Sequence, residues 1–450
     1  MAQNKRHSIS SARSVAVRSP SPIPTVIAST AESEEWTKAW QNVLAKDLID
    51  SPVAAVDADT TVEDACELLL SKDLTCLAVR APTDSSSPKS PYIGLFDFAD
   101  VNAFLTLAAT RHTFHPDYLR DNPRVEQIVE AAKSGPDVPV HLVSNLSEKN
   151  DLEILSHDAT IVSLLGVFCR GTHRVLISVE PPSTDFLGFV SDRNLISWFF
   201  KYAQQTPSFL NFISNPLNAH SLPSINLFTS VVATTSTASV LDAMRLMSEQ
   251  GVSSIAVVEE EGGSLHSAIS VTDIGKIVVP AKNPQMILSA PLHQMINLIK
   301  EPYGATDGNE RYPVYSASPH SPLSYAVEKL LATNSHRLFI TSGSSRPTSP
   351  TTSRPSSHIC GIVSIVDILS LFARIANIPD VDPTRMQRHR RASSASSSRS
   401  SRSSISGSDV YSRSRSGSRT SVSSPRTGHT SLDGSFMWAD RVPQPGTEKK

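Results

Sequence analysis

Gly361-Ile362-Val363-Ser364-Ile365-Val366-Asp367, followed by Ile368-Leu369-Ser370-Leu371-Phe372, is the stretch on which the fold turns. A short apolar run reads as a buried strand, and the spacing of Ile368, Leu371 and Phe372 reads as one face of a helix. Ser364 falls where strand gives way to helix, so its hydroxyl can cap free backbone N–H groups. Asp367, three residues on, stands where the acidic member of a capping box would. The same residues also suit a nucleotide cradle, in which helix N–H groups and a hydroxyl meet a phosphate and a carboxylate accepts from a ribose diol. A single copy supports both readings, so recurrence is the test.

The stretch recurs. In a first unit, Val53–Val56 reads as a strand, then a helix with Val62, Ala65, Leu68 and Leu69 on one side, the strand Leu77-Ala78-Val79, a loop, and Tyr92-Ile93-Gly94-Leu95-Phe96-Asp97-Phe98-Ala99-Asp100 leading into another helix. A second unit has the helix Ile161, Leu164, Leu165, Phe168, the strand Val175–Ser178 and Gly188-Phe189-Val190-Ser191-Asp192-Arg193-Asn194. A third runs through Val240, Ala243, Met244 and Met247 to Ser254–Val258 and Ser267-Ala268-Ile269-Ser270-Val271-Thr272-Asp273. The fourth has Leu323, Ala326, Val327 and Leu330, then Leu338–Ile340, and a low-complexity insert (342–357) before the opening stretch. From first helix residue to following strand region takes twelve residues in three units (Val62 to Leu74, Ile161 to His173, Val240 to Val252) and thirteen in the fourth (Leu323 to His336). Length variation collects in one connection, as a repeated fold predicts.

The 450 residues carry 41 basic and 43 acidic side chains, a formal net charge of -2 that hides an asymmetry. Residues 1–31 have four basic and no acidic side chains, residues 385–450 thirteen and four, and the middle is left at a net of −15. An acidic body disfavours nonspecific nucleic-acid binding, and basic Ser-rich tails read as solvated or phosphorylated disorder. Cys66, Cys76, Cys169 and Cys360 form no C-x-x-C and no zinc spacing, which points to a reducing compartment. No apolar run reaches membrane-spanning length and no signal-peptide pattern opens the chain. The histidines are scattered in sequence, with no metal-ligand grouping, so no metal site is expected. No P-loop, kinase signature, Gly-x-Ser-x-Gly elbow or Cys/His nucleophile pattern is present, so the reading is not an enzyme.

This pattern resembles the CBS domain, whose most specific element is the Gly-x-x-(Ser/Thr)-x-x-Asp junction. Gly361, Ser364 and Asp367 match it fully. The third unit keeps Ser270 and Asp273 with Ser267 for the glycine; the first keeps Gly94 and Asp100 with Asp97 for the hydroxyl; the second keeps Gly188 and Ser191 and ends in Asn194. The implied fold class is α+β, of α/β-type repeats: four CBS units in two Bateman modules. The expected limits are a disordered tail at 1–33, units at 44–108, 138–202, 224–281 and 311–378, and a disordered basic Ser/Arg-rich tail at 385–450. A Trp36/Trp40 helix is expected to pack on the body.

The chain also resembles the gamma subunit of AMP-activated protein kinase, where a His-Arg pair in the second and fourth units contacts nucleotide phosphates. His173-Arg174 and His336-Arg337 stand in those units here. A guanidinium presents forked donors to phosphate and histidine adds another. The resemblance therefore implies AMP, ADP or ATP as regulatory ligands and no catalytic cofactor. Asp367, Asp273 and Asp100 become ribose candidates, and Ser364, Ser270, Ser191, His336, Arg337, His173 and Arg174 phosphate candidates. Asn194 argues against a normal ribose site in unit two, so fewer than four occupied sites are expected.

The whole arrangement is most similar to fungal tandem-CBS regulators of the Sds/Moc family. That resemblance implies a non-catalytic regulator of stress and nutrient responses, cell-cycle timing and cell separation that inhibits a type 2A-like serine/threonine phosphatase in cytoplasm and nucleus. No Lys/Arg-(x)-Val/Ile-x-Phe/Trp docking peptide is present, so such a contact needs another surface. Protein kinases acting on the tails are further expected partners. Ser393, after Arg390-Arg391-Ala392, suits a basophilic kinase, and Ser19 and Ser21 precede prolines. A homodimer through CBS units is the expected self-association; membrane and nucleic-acid partners are not expected. The alternatives are a gamma-like kinase subunit, marked by co-purifying alpha and beta chains, and an Arg-Ser nucleic-acid-associated protein, marked by salt-sensitive RNA retention lost with residues 385–450.

Overall fold

A computed structural model describes residues 25–82, 90–134, 137–183, 185–226, 231–260, 263–300, 315–342, 358–379 and 381. Ser393, Ser19, Ser21 and nearly all of the 342–357 insert lie outside them.

The chain enters through helix α1, Thr30–Gln41. The first unit holds β1 (Ala55–Val56), α2 (Val62–Ser71), β2 (Leu77–Arg80), β3 (Tyr92–Phe96) and α3 (Phe98–Thr110). The second holds β4 (Ile154–Leu155), α4 (Ile161–Phe168), β5 (Arg174–Ser178), β6 (Phe186–Ser191) and α5 (Asp192–Gln205). The third holds β7 (Ala233–Thr235), α6 (Val240–Glu249), β8 (Ser254–Val258), β9 (Leu265–Ser270) and α7 (Val271–Val278). The fourth holds β10 (Ser316–Ala317), α8 (Leu323–Ala332), β11 (Arg337–Ser342), β12 (His358–Ser364) and α9 (Ile365–Ile375).

Each unit builds one three-stranded sheet. Its first strand runs parallel to its second across a helical crossover, and the third pairs antiparallel with the second. The third and fourth units repeat this order. The middle strands are apolar on both faces because each sheet is covered twice. One face of the first sheet packs on the second through Ala78, Leu95, Leu176 and Phe189, and the third packs on the fourth through Ala256, Ala268, Phe339 and Ile362. The opposite faces meet the helices. Helices of units one and three share one core, and those of units two and four share the other. The two modules are therefore joined helix to helix, with Gly275 of α7 leaving room for the ring of Phe98 and buried Asn102 donating to the Met244 carbonyl at 3.2 Å.

The expected tail boundary at residue 33 is corrected. Ser29 caps α1 and forms a capping box with Glu32, so order begins earlier. Val26 already donates to the Ala219 carbonyl at 2.7 Å. Both Trp36 and Trp40 are fully buried, against Phe209, Phe199 and Phe372, as expected of a helix docked on the body.

The segment that leads into each unit does not pack on that unit. It crosses to the other member of the module. Residues 43–51 pair with unit two, through Ile161 N–H to the Val43 carbonyl (3.1 Å), Phe189 N–H to the Ser51 carbonyl (2.9 Å) and Asp50 N–H to the Phe189 carbonyl (3.0 Å). Residues 138–150 lie on unit one, with Val62 N–H bonded to Val138 O (2.8 Å) and Val140 N–H to Thr60 O (2.7 Å). Residues 215–226 lie on unit four, and 290–293 on unit three. The expected unit limits at 44, 138 and 224 thus cut each arm away from the sheet it serves.

Candidate functional site

In unit four the capping box is real: the Ser364 hydroxyl accepts from Asp367 N–H (3.2 Å), while Ser364 N–H and Oγ both donate to Asp367 Oδ2 (2.8 and 2.6 Å). The other oxygen of Asp367 accepts from the hydroxyl of Ser224, on the crossed arm, at 2.8 Å. Gly361 lies directly beneath that arm. A Cβ there would overlap the Ile225 carbonyl oxygen and come 2.6 Å from that of Ser224. Burial pushes the Asp367 carboxyl up, while the hydrogen bonds from Ser364 and Ser224 and the charge of Arg337 pull it back. Ser224→Ala is expected to cost about 1–3 kcal/mol in chemical unfolding, because it strands a buried carboxylate oxygen; an unchanged midpoint would deny the arm that role.

Unit one is filled in the same way. Asp97 does the work of the missing hydroxyl, accepting from Ala99 N–H (2.7 Å) as the helix cap. Buried Asp100 accepts from Asp97 N–H (3.2 Å), Ser147 N–H (2.9 Å) and Asn150 Nδ2 (2.7 Å). Ser144 sits over Gly94 and donates to the Leu95 carbonyl. Burial, then the charge of Asp97, pushes the Asp100 carboxyl up to about 7.

In unit two, Ser191 caps α5 through Asn194 N–H (3.1 Å). The Asp50 carboxylate accepts from Ser191 Oγ and N–H, standing where a phosphate oxygen would be held. Asn194 Nδ2 donates to the Leu48 carbonyl at 2.7 Å, and Gly188 accommodates Ser51 O. In unit three, Ser270 and Asp273 form a capping box, with Ser270 N–H and Oγ donating to Asp273 Oδ2 at 2.9 and 2.8 Å. Buried Ser267 takes the glycine place. Residues 301–314, which follow its arm, lie outside the described residues.

The histidines of the two His-Arg pairs converge. His173 and His336, each at the start of a middle strand, bring their rings to 4.7 Å where unit two meets unit four. Between them lies the buried carboxylate of Asp192, the first residue of α5, with Oδ2 at 2.8 Å from His173 Nδ1 and 3.6 Å from His336 Nδ1. Burial pushes the Asp192 carboxyl up, but the neighbouring imidazoles of His173 and His336 outweigh this and hold it well below the usual carboxylate range. Burial pushes His336 down to about 4. Arg193 donates to the Asn334 carbonyl across the same unit boundary at 2.9 Å. Arg174 turns instead to unit one, its Nη1 3.9 Å from Asp97 Oδ2, and Arg337 acts on Asp367.

Histidines scattered in sequence are thus grouped in space. Asp192 falls between the junction positions Ser191 and Asn194, so the motif itself draws no attention to it. The register does hold a signal. The residue after the cap is Phe98, Val271 and Ile365 in the other units, all apolar, and Asp192 alone is charged.

The sheets, crossovers and capped junctions define a CBS-domain protein, and the CBS domain family model matches residues 45–101 and 227–279. Among curated proteins the chain is similar to those named Sds23. It is 29% identical to Protein sds23 of Aspergillus niger over 324 residues, 71% of this chain and 61% of that protein. To Protein sds23/moc1 of Schizosaccharomyces pombe it is 26% identical over 331 residues, 73% of this chain and 74% of that one. The chain thus spans about three fifths of the Aspergillus niger relative's length. A crystal structure from Methanocaldococcus jannaschii, described as an archaeal homologue of g-AMPK, matches 73% of this chain and 100% of that one at 15% identity and a TM-score of 0.48. Among the described residues no helix is long and apolar enough to cross a membrane.

Proposed function

We propose that the chain is a non-catalytic CBS-domain regulator that senses an adenine nucleotide chiefly at one centre, between units two and four. One observation carries this reading. The histidines of both His-Arg strand starts meet at a shared boundary beside Arg193, while the chain's own arms already satisfy the junctions of units one, two and four. A ribose arriving at Asp367 or Asp100 would have to displace Ser224, or Ser147 and Asn150, from a buried carboxylate. Imidazole and guanidinium donors at the boundary suit phosphate. We assign a second nucleotide to Ser270 with Asp273 of unit three, so at most two bind per chain.

Titration calorimetry with AMP, ADP and ATP tests this. The expected result is one or two sites, with the stronger weakened at least about tenfold by His173→Ala or His336→Ala. No heat at millimolar nucleotide, or three or more sites, would overturn it.

The likeness to Sds23 proteins supports a regulatory output, which we assign to inhibition of a type 2A-like phosphatase in cytoplasm and nucleus during stress response, cell-cycle timing and cell separation. Tail phosphorylation at Ser393, Ser19 and Ser21 would modulate it. Purification of tagged full-length chain followed by mass spectrometry and a phosphatase assay decides this output; a partner set lacking phosphatase subunits, with unaltered phosphatase activity, rejects it.

A further inference from the structure

We propose that His173, Asp192 and His336 form a binding site for a divalent transition-metal ion of the zinc type, bridging units two and four. The ligand atoms are one carboxylate oxygen and two imidazole nitrogens, all within 4.8 Å of one another. Tetrahedral zinc with bonds of about 2.0–2.1 Å sets neighbouring ligand atoms about 3.3 Å apart. The separations from Asp192 Oδ2 are 2.8 Å to His173 Nδ1 and 3.6 Å to His336 Nδ1, which bracket that figure.

A second observation points the same way. His336 Nδ1 is shielded from solvent and, among the described residues, has no hydrogen-bond partner, although it stands 3.6 Å from a buried carboxylate oxygen. Buried imidazole nitrogens are ordinarily satisfied, and a metal ion is what this one lacks a substitute for. Asp192 is itself almost wholly buried and accepts from His173 alone among the hydrogen bonds described for its side chain. Three protein ligands would leave the fourth position of a tetrahedral ion to an outside ligand.

The surroundings select that ligand. Arg193 brings positive charge near Asp192, so a dication there calls for an anion in the fourth position. Metal on Nδ1 also forces the remaining proton of each imidazole onto Nε2, making both rings donors on their other edge. The existence of the metal site is independent of the proposed nucleotide reading; only its role in phosphate capture rests on that reading.

The test uses full-length chain stripped with chelator, then titrated with zinc chloride against a chromophoric competitor and separately with cobalt(II) chloride. One ion per chain is expected, with the visible ligand-field bands of tetrahedral cobalt. His173→Ala and His336→Ala should each weaken binding at least about tenfold, and the control His220→Ala should leave it unchanged. Circular dichroism checks the fold, and His336→Gln replaces the alanine variant if that fails to fold. No stoichiometric binding, or binding indifferent to both histidines, overturns the site. Metal binding without nucleotide binding retains it and rejects the nucleotide reading; nucleotide binding without metal does the reverse.

Discussion

Gly361→Ala is expected to destabilise the protein by about 3 kcal/mol or more, near the upper end for overpacking a buried site. The reason is the identity of the obstacle. The new methyl would run into the backbone carbonyls of Ile225 and Ser224, which cannot rotate aside as a side-chain tip can. The turn Pro223–Asn226 must then lift, and lifting it removes the Ser224 hydroxyl from Asp367. Gly166 is the internal control. Within α4, a Cβ at 166 meets nothing within 4 Å, so Gly166→Ala should be stabilising by up to about 1 kcal/mol through reduced unfolded-state freedom. Denaturant unfolding of both variants reads the contrast. A Gly361→Ala protein as stable as the parent would mean that the arm does not lie where it is placed here.

The second large effect is a fall in stability with rising pH that originates at Asp100. Its folded-state value of about 7 lies above the ordinary 3.8. The folded chain therefore holds a proton that the unfolded chain releases, and stability present at low pH is lost as pH climbs from about 4 to about 7. The gap corresponds to on the order of 4 kcal/mol. Asp97 contributes through like charge, the arm donors Ser147 and Asn150 oppose it, and Arg124 is the nearby cation. Asp100→Asn should be less stable than the parent near about pH 5, because an amide nitrogen meets a donor, and should recover relative to it near about pH 8. Asp97→Asn keeps the helix cap, since Asn also caps well, and should flatten the slope. Parallel stability curves for the parent and Asp100→Asn would remove Asp100 as the source.

Much of this architecture is legible in the chain itself. Periodicity places each crossover helix and middle strand, and the Ser364–Asp367 spacing reads correctly as a capping box because that chemistry is local. The arms are a different matter. Residues 48–51, 144–150 and 222–226 are short and irregular, and their partners lie far away in sequence, so no periodic signal marks them. The same distance effect hides the histidine pair: His173 and His336 are each ordinary strand-edge residues until two modules dock. Ser29-x-x-Glu32 shows the opposite case, a local capping signal set at the edge of a Ser-rich stretch that masks it. The connecting helix Pro123–Ser134 is announced by its N-terminal proline yet falls outside the repeat, so repeat reasoning skips it.

The crossed arms also dictate an order of assembly. Asp50 meets Ser191 across 141 residues of chain, and Ser224 meets Asp367 across 143. Such closures are slow, and during synthesis the arms at 43–51 and 215–226 leave the ribosome long before the sheets that receive them, whereas those at 138–150 and 290–293 follow theirs. Unit one cannot cover Asp100 until residues 144–150 have followed, nor can 48–51 find a seat until α5 begins. The smallest piece that can complete itself is therefore a pair, and a chain cut between units one and two leaves two halves, each holding the other's missing part.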